Sequence, residues 1–131
     1  GYRTGRLQWL GTAGARLDDL LTWLPCRLVM LSLPLVSRPW TQWPRLVRAA
    51  ERDGSSDPSP NAGRSEAIYA HCIGICLGGD NRYGDRIVHK PVLAAGSPQA
   101  SPSAVKDVLS ATTRLETIWI AGLILSLLKL A

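Results

Sequence analysis

The chain has 131 residues, 46% of them hydrophobic, with 15 Lys and Arg against 10 Asp and Glu and a net charge of +5. That length suffices for one small domain, but the apolar residues gather in two blocks instead of repeating as a core pattern, which favours membrane contact. Seven arginines stand against Asp18 and Asp19 in residues 1–50, singly around apolar segments and without interleaved aromatics, a pattern that argues against a nucleic-acid partner.

Ala15–Leu24 places Leu17, Leu20, Leu21 and Leu24 at i, i+3, i+4 and i+7, which predicts an amphipathic helix with Asp18 and Asp19 off its stripe. It leads into the first apolar block, Leu20–Val36, which as a helix would extend roughly 25 Å, short of a bilayer core of about 30 Å. Pro25, Pro34 and Arg27 weaken the block further, and Arg27 would have to face protein or water. Thr41–Arg52 reads as a short, basic, surface-lying helix with Thr41 as N-cap, Pro44 in its first turn and Gly54 just past its end. Asp53–Gly63 has the composition of a loop.

Ser65 is expected to cap a helix from Glu66 to about Leu77, stopped by Gly78 and Gly79. Glu66 would then lie in the first turn, where the helix dipole favours a carboxylate. Gly79–Gly84 reads as a tight turn, Arg86–Val92 as a short extended run and Ala95–Ser103 as a Pro/Ser loop. Ser101 followed by Pro102 opens a C-terminal helix that ends in the second apolar block, Ile118–Leu128. Arg38, Arg45, Arg48 and Arg52 follow the first block and Lys106 and Arg114 precede the second, against Arg3, Arg6, Arg16 and Lys129 outside, so the central loop is favoured as cytoplasmic.

Three cysteines without regular spacing give no disulfide framework. His71, Cys72 and Cys76 lack a fourth metal ligand, and GICLGGD lacks the Lys-Ser/Thr of a phosphate-binding P-loop. Around the glycine turn, Glu66, Asp80, Arg82, Tyr83 and Lys90 could together hold an anion, or form a solvated loop. Gly1 follows no Met and no signal-peptide pattern follows it, so the chain is expected to begin inside a longer protein.

Three runs carry a resemblance. The first comprises Arg6, Leu7, Ala15, Arg16, Asp18, Asp19, Pro25, Arg27 and Leu28, and the second Ser59, Pro60, Asn61, Ala62, Gly63, Glu66 and Ala67. The third is Leu77, Gly78, Gly79, Tyr83, Gly84, Lys90 and Pro91. In this order the chain resembles the C-terminal part of the adenosylcobinamide-phosphate synthase (CobD/CbiB) family of cobalamin biosynthesis. It departs at Cys26, where a small Ala is expected, and at His71, where Gly is.

The resemblance implies a mainly α fold, a helical integral membrane protein fragment with a long loop between two apolar segments. Residues 1–37 form an amphipathic helix and apolar segment, 38–100 the loop region with the active-site part, and 101–131 a helix ending in a membrane segment. The implied activity joins aminopropanol, or its phosphate, to a carboxylate of adenosylcobyric acid, with ATP and Mg²⁺ as cofactors. In the implied site Glu66, Asn61 and Lys90 are catalytic, and Gly78, Gly79, Arg82, Tyr83 and Lys90 bind substrate phosphate. Glu66, Asp57 and Asp80 serve Mg²⁺. Implied partners are the corrinoid, the lipid bilayer of a cell's inner membrane, which the full-length protein crosses several times, and the missing N-terminal half of the same chain. The alternative is a catalytically inert membrane-embedded fragment or interaction module.

Overall fold

The computed structural model describes Gly5–Leu130. Arg3 lies outside the described residues, as do the side chain of Arg6 and residue 131. The fold is mainly helical, with α1 (Gln8–Ser37), α2 (Trp43–Gly54), α3 (Ala62–Ile73) and α4 (Pro102–Leu130), and an antiparallel hairpin of β1 (Leu77–Tyr83) and β2 (Arg86–Leu93) set against α2 and α3.

The expected amphipathic stretch and first apolar block form one continuous helix. At 30 residues, α1 reaches about 45 Å, beyond the bilayer core of about 30 Å. Pro25 and Pro34 each remove a ladder hydrogen bond but do not end it. Side chains from the central segment donate to two other α1 carbonyls, Asn61 Nδ2 to Asp19 O at 2.7 Å and Trp43 Nε1 to Leu31 O at 2.6 Å. The helix stops at Arg38, which the following Pro39 pushes into extended geometry. Both α1 and α4 are long and apolar enough to cross a membrane. Trp9, Leu20, Leu24, Leu123, Ile124 and Leu128 are exposed on them.

Five sequence expectations need correction. Helix α2 begins after a 3-10 turn at Trp40–Gln42, so Thr41 is not its cap. Nor does α2 simply lie on the surface, because Leu46, Ala50 and Gly54 are buried. Helix α3 starts at Ala62, where Ser59 Oγ accepts from the N–H groups of Asn61 and Ala62, each at 3.3 Å. Glu66 is therefore in its second turn, and Ser65 Oγ donates back to Asn61 O. Gly74, with φ +80°, ends the helix and donates its N–H to Ala70 O at 2.8 Å, so Gly78 and Gly79 are not the stop. The expected tight turn at Gly79–Gly84 is instead strand β1, with the reversal at Gly84 and Asp85. Ser101 does cap α4, accepting from Ala104 N–H at 3.3 Å.

One core joins all four helices to the end of β2. Met30 and Leu33 of α1, Ala50 of α2, Ile68 of α3, Leu93 of β2 and Leu115 of α4 are all buried in it. Small residues let α2 and α3 approach closely: a Cβ on Gly54 would lie 2.6 Å from Gly63 O, and one on Gly63 would lie 2.4 Å from Asp57 Cβ. The three cysteines are free thiols.

Candidate active site at the start of helix α3

Two stretches about forty residues apart meet where α3 begins. The buried side chain of Asn61 donates to Asp19 O and, at 2.8 Å, to Thr22 Oγ1 of α1, and accepts from Arg27 at 3.4 Å. Arg27 also donates to Pro60 O at 3.3 Å and lies 5.2 Å from the Trp23 ring centroid. The arginine inside the apolar helix thus faces protein, as its cost in lipid requires. Asn61 positions α3 against α1, since its amide is occupied on both ends. A cleft of about 350 Å³ opens beside it, lined by Asp18, Thr22, Ser59 and Ser65 among others.

On the other side of α3, Glu66 borders an apolar cleft of about 390 Å³ between α3 and α4, walled by Ile75, Leu77, Val105 and Leu109. Lys90 of β2 reaches this carboxylate, with Nζ 3.9 Å from Glu66 Oε1. Both side chains are partly exposed, which leaves them open to a ligand. Their meeting depends on the hairpin. Gly78 and Gly79 have φ of +86° and +76°, and a β-bulge sits between Leu77 and Gly79. A Cβ on Gly78 would lie 1.9 Å from Pro91 O, so this close strand approach admits only glycine.

Strand alternation divides the remaining residues read as functional. Gly79 pairs with Lys90, Asn81 with Val88 and Tyr83 with Arg86, so Tyr83 shares the face of Lys90, about 13 Å farther along the strand. Asp80 and Arg82 occupy the opposite face. There Asp80 bonds to His89 Nδ1, and Arg82 Nε donates to Gly84 O at 3.0 Å. Asp57 closes a turn instead, its Oδ1 accepting from Ser59 N–H at 2.8 Å. Among the described residues, no three His, Cys, Asp or Glu side chains gather as a metal site. Glu66, Asp57 and Asp80 are thus not gathered as one group of three.

Sequence reading passed over Asp53. From the last turn of α2 it accepts from Ala94 N–H at 3.1 Å and from Arg52 Nε at 2.9 Å, and it lies 2.8 Å from His71 Nε2. Burial pushes its pKa up, but the Ala94 N–H, His71 and Arg52 outweigh burial and hold it below the ordinary value. An ionised Asp53 only accepts, so His71 Nε2 carries the proton between them. A carboxylate at a helix C-terminus opposes the dipole, and that was the signal available in the sequence. Nearby, Arg64 grips both oxygens of Glu51 at 2.7–2.9 Å and lowers its pKa. Burial raises the pKa of the Cys72 thiol, so this cysteine is no activated nucleophile.

The model of the CobD/CbiB protein family matches residues 1–112. Cobalamin biosynthesis protein CobD of Synechocystis sp. is 42% identical over 97% of this chain and 35% of that protein. CobD of Streptococcus sanguinis is 34% identical over 95% of this chain and 39% of that protein. Cobalamin biosynthesis protein CbiB of Salmonella paratyphi A is 36% identical over 93% and 37%. The chain thus spans somewhat more than a third of these relatives' length, and no solved structure matches it. Its matched residues include both segments that meet at Asn61 and the hairpin that carries Lys90, and the chain belongs to the CobD/CbiB family.

Proposed function

We propose that the protein bearing this chain acts in cobalamin biosynthesis as an amide-forming ligase of a cell's inner membrane. It joins aminopropanol, or its phosphate, to a side-chain carboxylate of adenosylcobyric acid, giving adenosylcobinamide or its phosphate. The observation that carries this reading is the meeting of Glu66 and Lys90, 24 positions apart in sequence, at the mouth of an apolar cleft. Family membership supplies the reaction class.

Amide formation from an amine needs a free nitrogen lone pair and an activated carboxylate. Glu66 holds the substrate ammonium and accepts its proton, while Lys90 holds the anionic oxygens of the second substrate. Asn61 fixes the helix that presents Glu66, and the Gly78–Gly79 bulge sets Lys90 opposite it. Arg82 and Tyr83, at the exposed hairpin tip, contact substrate outside the cleft. ATP with Mg²⁺ would supply the activation by phosphorylating the carboxylate, the phosphate leaving as the amine nitrogen attacks, and Lys90 would hold the oxygens of that phosphate. The membrane helices α1 and α4 flank a central region on the cytoplasmic side.

The broad apolar faces of α1 and α4 favour a second reading for this chain in isolation, as an inert membrane-embedded piece that gains activity when the remaining helices cover those faces. Membranes carrying the full reading frame that encodes the chain, incubated with adenosylcobyric acid, aminopropanol phosphate, ATP and Mg²⁺, test the ligation by mass spectrometry. The expected result is an amide-linked adenosylcobinamide phosphate. Its absence with folded, inserted protein would overturn the reading.

A further inference from the structure

An open cleft of about 740 Å³ lies between the end of α1, one face of α2, His71 of α3 and the loop after β2. Its charged lining is Arg38, Arg45, Arg48 and Arg52, and no carboxylate lines it among the described residues. Arg45, Arg48 and Arg52 share a face of α2 at i, i+3 and i+7, where like charges repel.

The four guanidiniums are not equally spent. Arg52 is neutralised by Asp53 at 2.9 Å. Arg38 donates to two neutral carbonyls, Cys72 O at 2.6 Å and Ile73 O at 3.3 Å, which fixes its position and leaves its charge uncompensated. Arg45 and Arg48 have no carboxylate or hydrogen-bond partner among the described residues. Three uncompensated cations thus face one space, beside an imidazole whose Nε2 is already committed to Asp53. A planar guanidinium fork recognises phosphate oxygens in pairs, and the cleft is large enough for a diphosphate with an organic substituent.

We propose that this cleft is a binding site for a phosphate-bearing anion, separate from the Glu66–Lys90 cleft and independent of the ligation assigned to it. Arg38 stands directly after the apolar α1, so the phosphate arrives either on a soluble molecule or as an anionic lipid headgroup; the binding chemistry is the same.

The test uses the full-length protein in nanodiscs, with R45Q/R48Q against a charge-matched R86Q/K106Q control. Arg45 and Arg48 are exposed and unpaired, so their replacement leaves the fold intact, which the unliganded melting curve verifies. In phosphatidylcholine discs, inorganic pyrophosphate binding is read by calorimetry at constant ionic strength. In a second arm, the melting temperature is compared between discs with and without phosphatidylglycerol. Pyrophosphate binding that weakens at least tenfold in R45Q/R48Q, and not in the control, assigns a soluble ligand. Stabilisation by phosphatidylglycerol alone, lost in the same variant, assigns a lipid headgroup. No response in either arm, or equal responses in both variants, would overturn the proposal.

Discussion

Replacing Asp53 with Ala removes one carboxylate that ties three parts of the fold together. The Ala94 N–H loses its acceptor in a residue only 3% exposed, a loss of about 1–3 kcal/mol for an orphaned buried donor. His71 Nε2 loses its partner in a side chain 17% exposed, adding about 1 kcal/mol. Arg52, at 75% exposure, adds almost nothing. Ala94 also sits at φ +52°, which a non-glycine residue adopts only when held, and Asp53 holds its N–H while Ser97 N–H holds its carbonyl at 3.1 Å. The sum is about 2–4 kcal/mol, and at roughly 4 °C per kcal/mol the melting temperature should fall by about 8–16 °C. Circular dichroism melts of the detergent-purified protein provide the assay, with R52A as control and a shift below about 3 °C expected for it. If D53A melts within 3 °C of the parent, or if R52A is as damaging, the carboxylate is not the joint described above.

Gly63→Ala forces a Cβ to within 2.4 Å of Asp57 Cβ and 2.6 Å of Gly54 O, so it should cost at least about 1–3 kcal/mol in a denaturant or thermal titration. Asn61→Leu strips α1 of the donor to Asp19 O and the acceptor for Arg27; about 2–4 kcal/mol should be lost, with faster proteolysis at residues 55–61 as the readout. Acid should destabilise the central region. Glu51 and Asp53 are held below their ordinary values of 4.5 and 3.8, so their contributions are complete above those values and fade as pH falls through the lowered folded ones. A melting temperature unchanged between pH 6 and pH 3 would contradict this.

Elements with local signals were legible in the sequence. Ser101-Pro102 opens α4, because caps are written within one turn of the chain, whereas Gly54, expected just past the end of α2, is its last helical residue and Ser55 is the cap. The need to turn Arg27 toward protein followed from its charge alone, and the side chain does reach Asn61 and Pro60. Helix α3 was misplaced because the apolar spacing of Ile68, Cys72, Ile75 and Cys76 runs on past Gly74, whose left-handed geometry ends the helix. Strand β1 was missed for a different reason: LGGDNRY has no β-branched residue and two glycines, so its conformation comes from pairing with β2 and not from propensity.

The candidate site shows the same division. Glu66 and Lys90 were grouped around the glycine turn and, with Asn61, given catalytic roles from resemblance, while the separation of Lys90 from Asp80 and Arg82 required the hairpin register. Asp53 and the arginine cleft depend on how α2 packs against α3 and the loop after β2, which no local spacing encodes.

The central claim is that Glu66 and Lys90 form the reacting pair, and the most direct measurement is ligation by E66Q and K90Q in membranes carrying the full-length protein. Both side chains are half-exposed and only 3.9 Å apart as a weak surface pair, so neither change should move the melting temperature by more than about 3 °C. Loss of the proton acceptor or of the anion-holding ammonium should each lower the rate of amide formation at least about a hundredfold. Two variants that fold, insert and ligate within threefold of the parent would contradict the account.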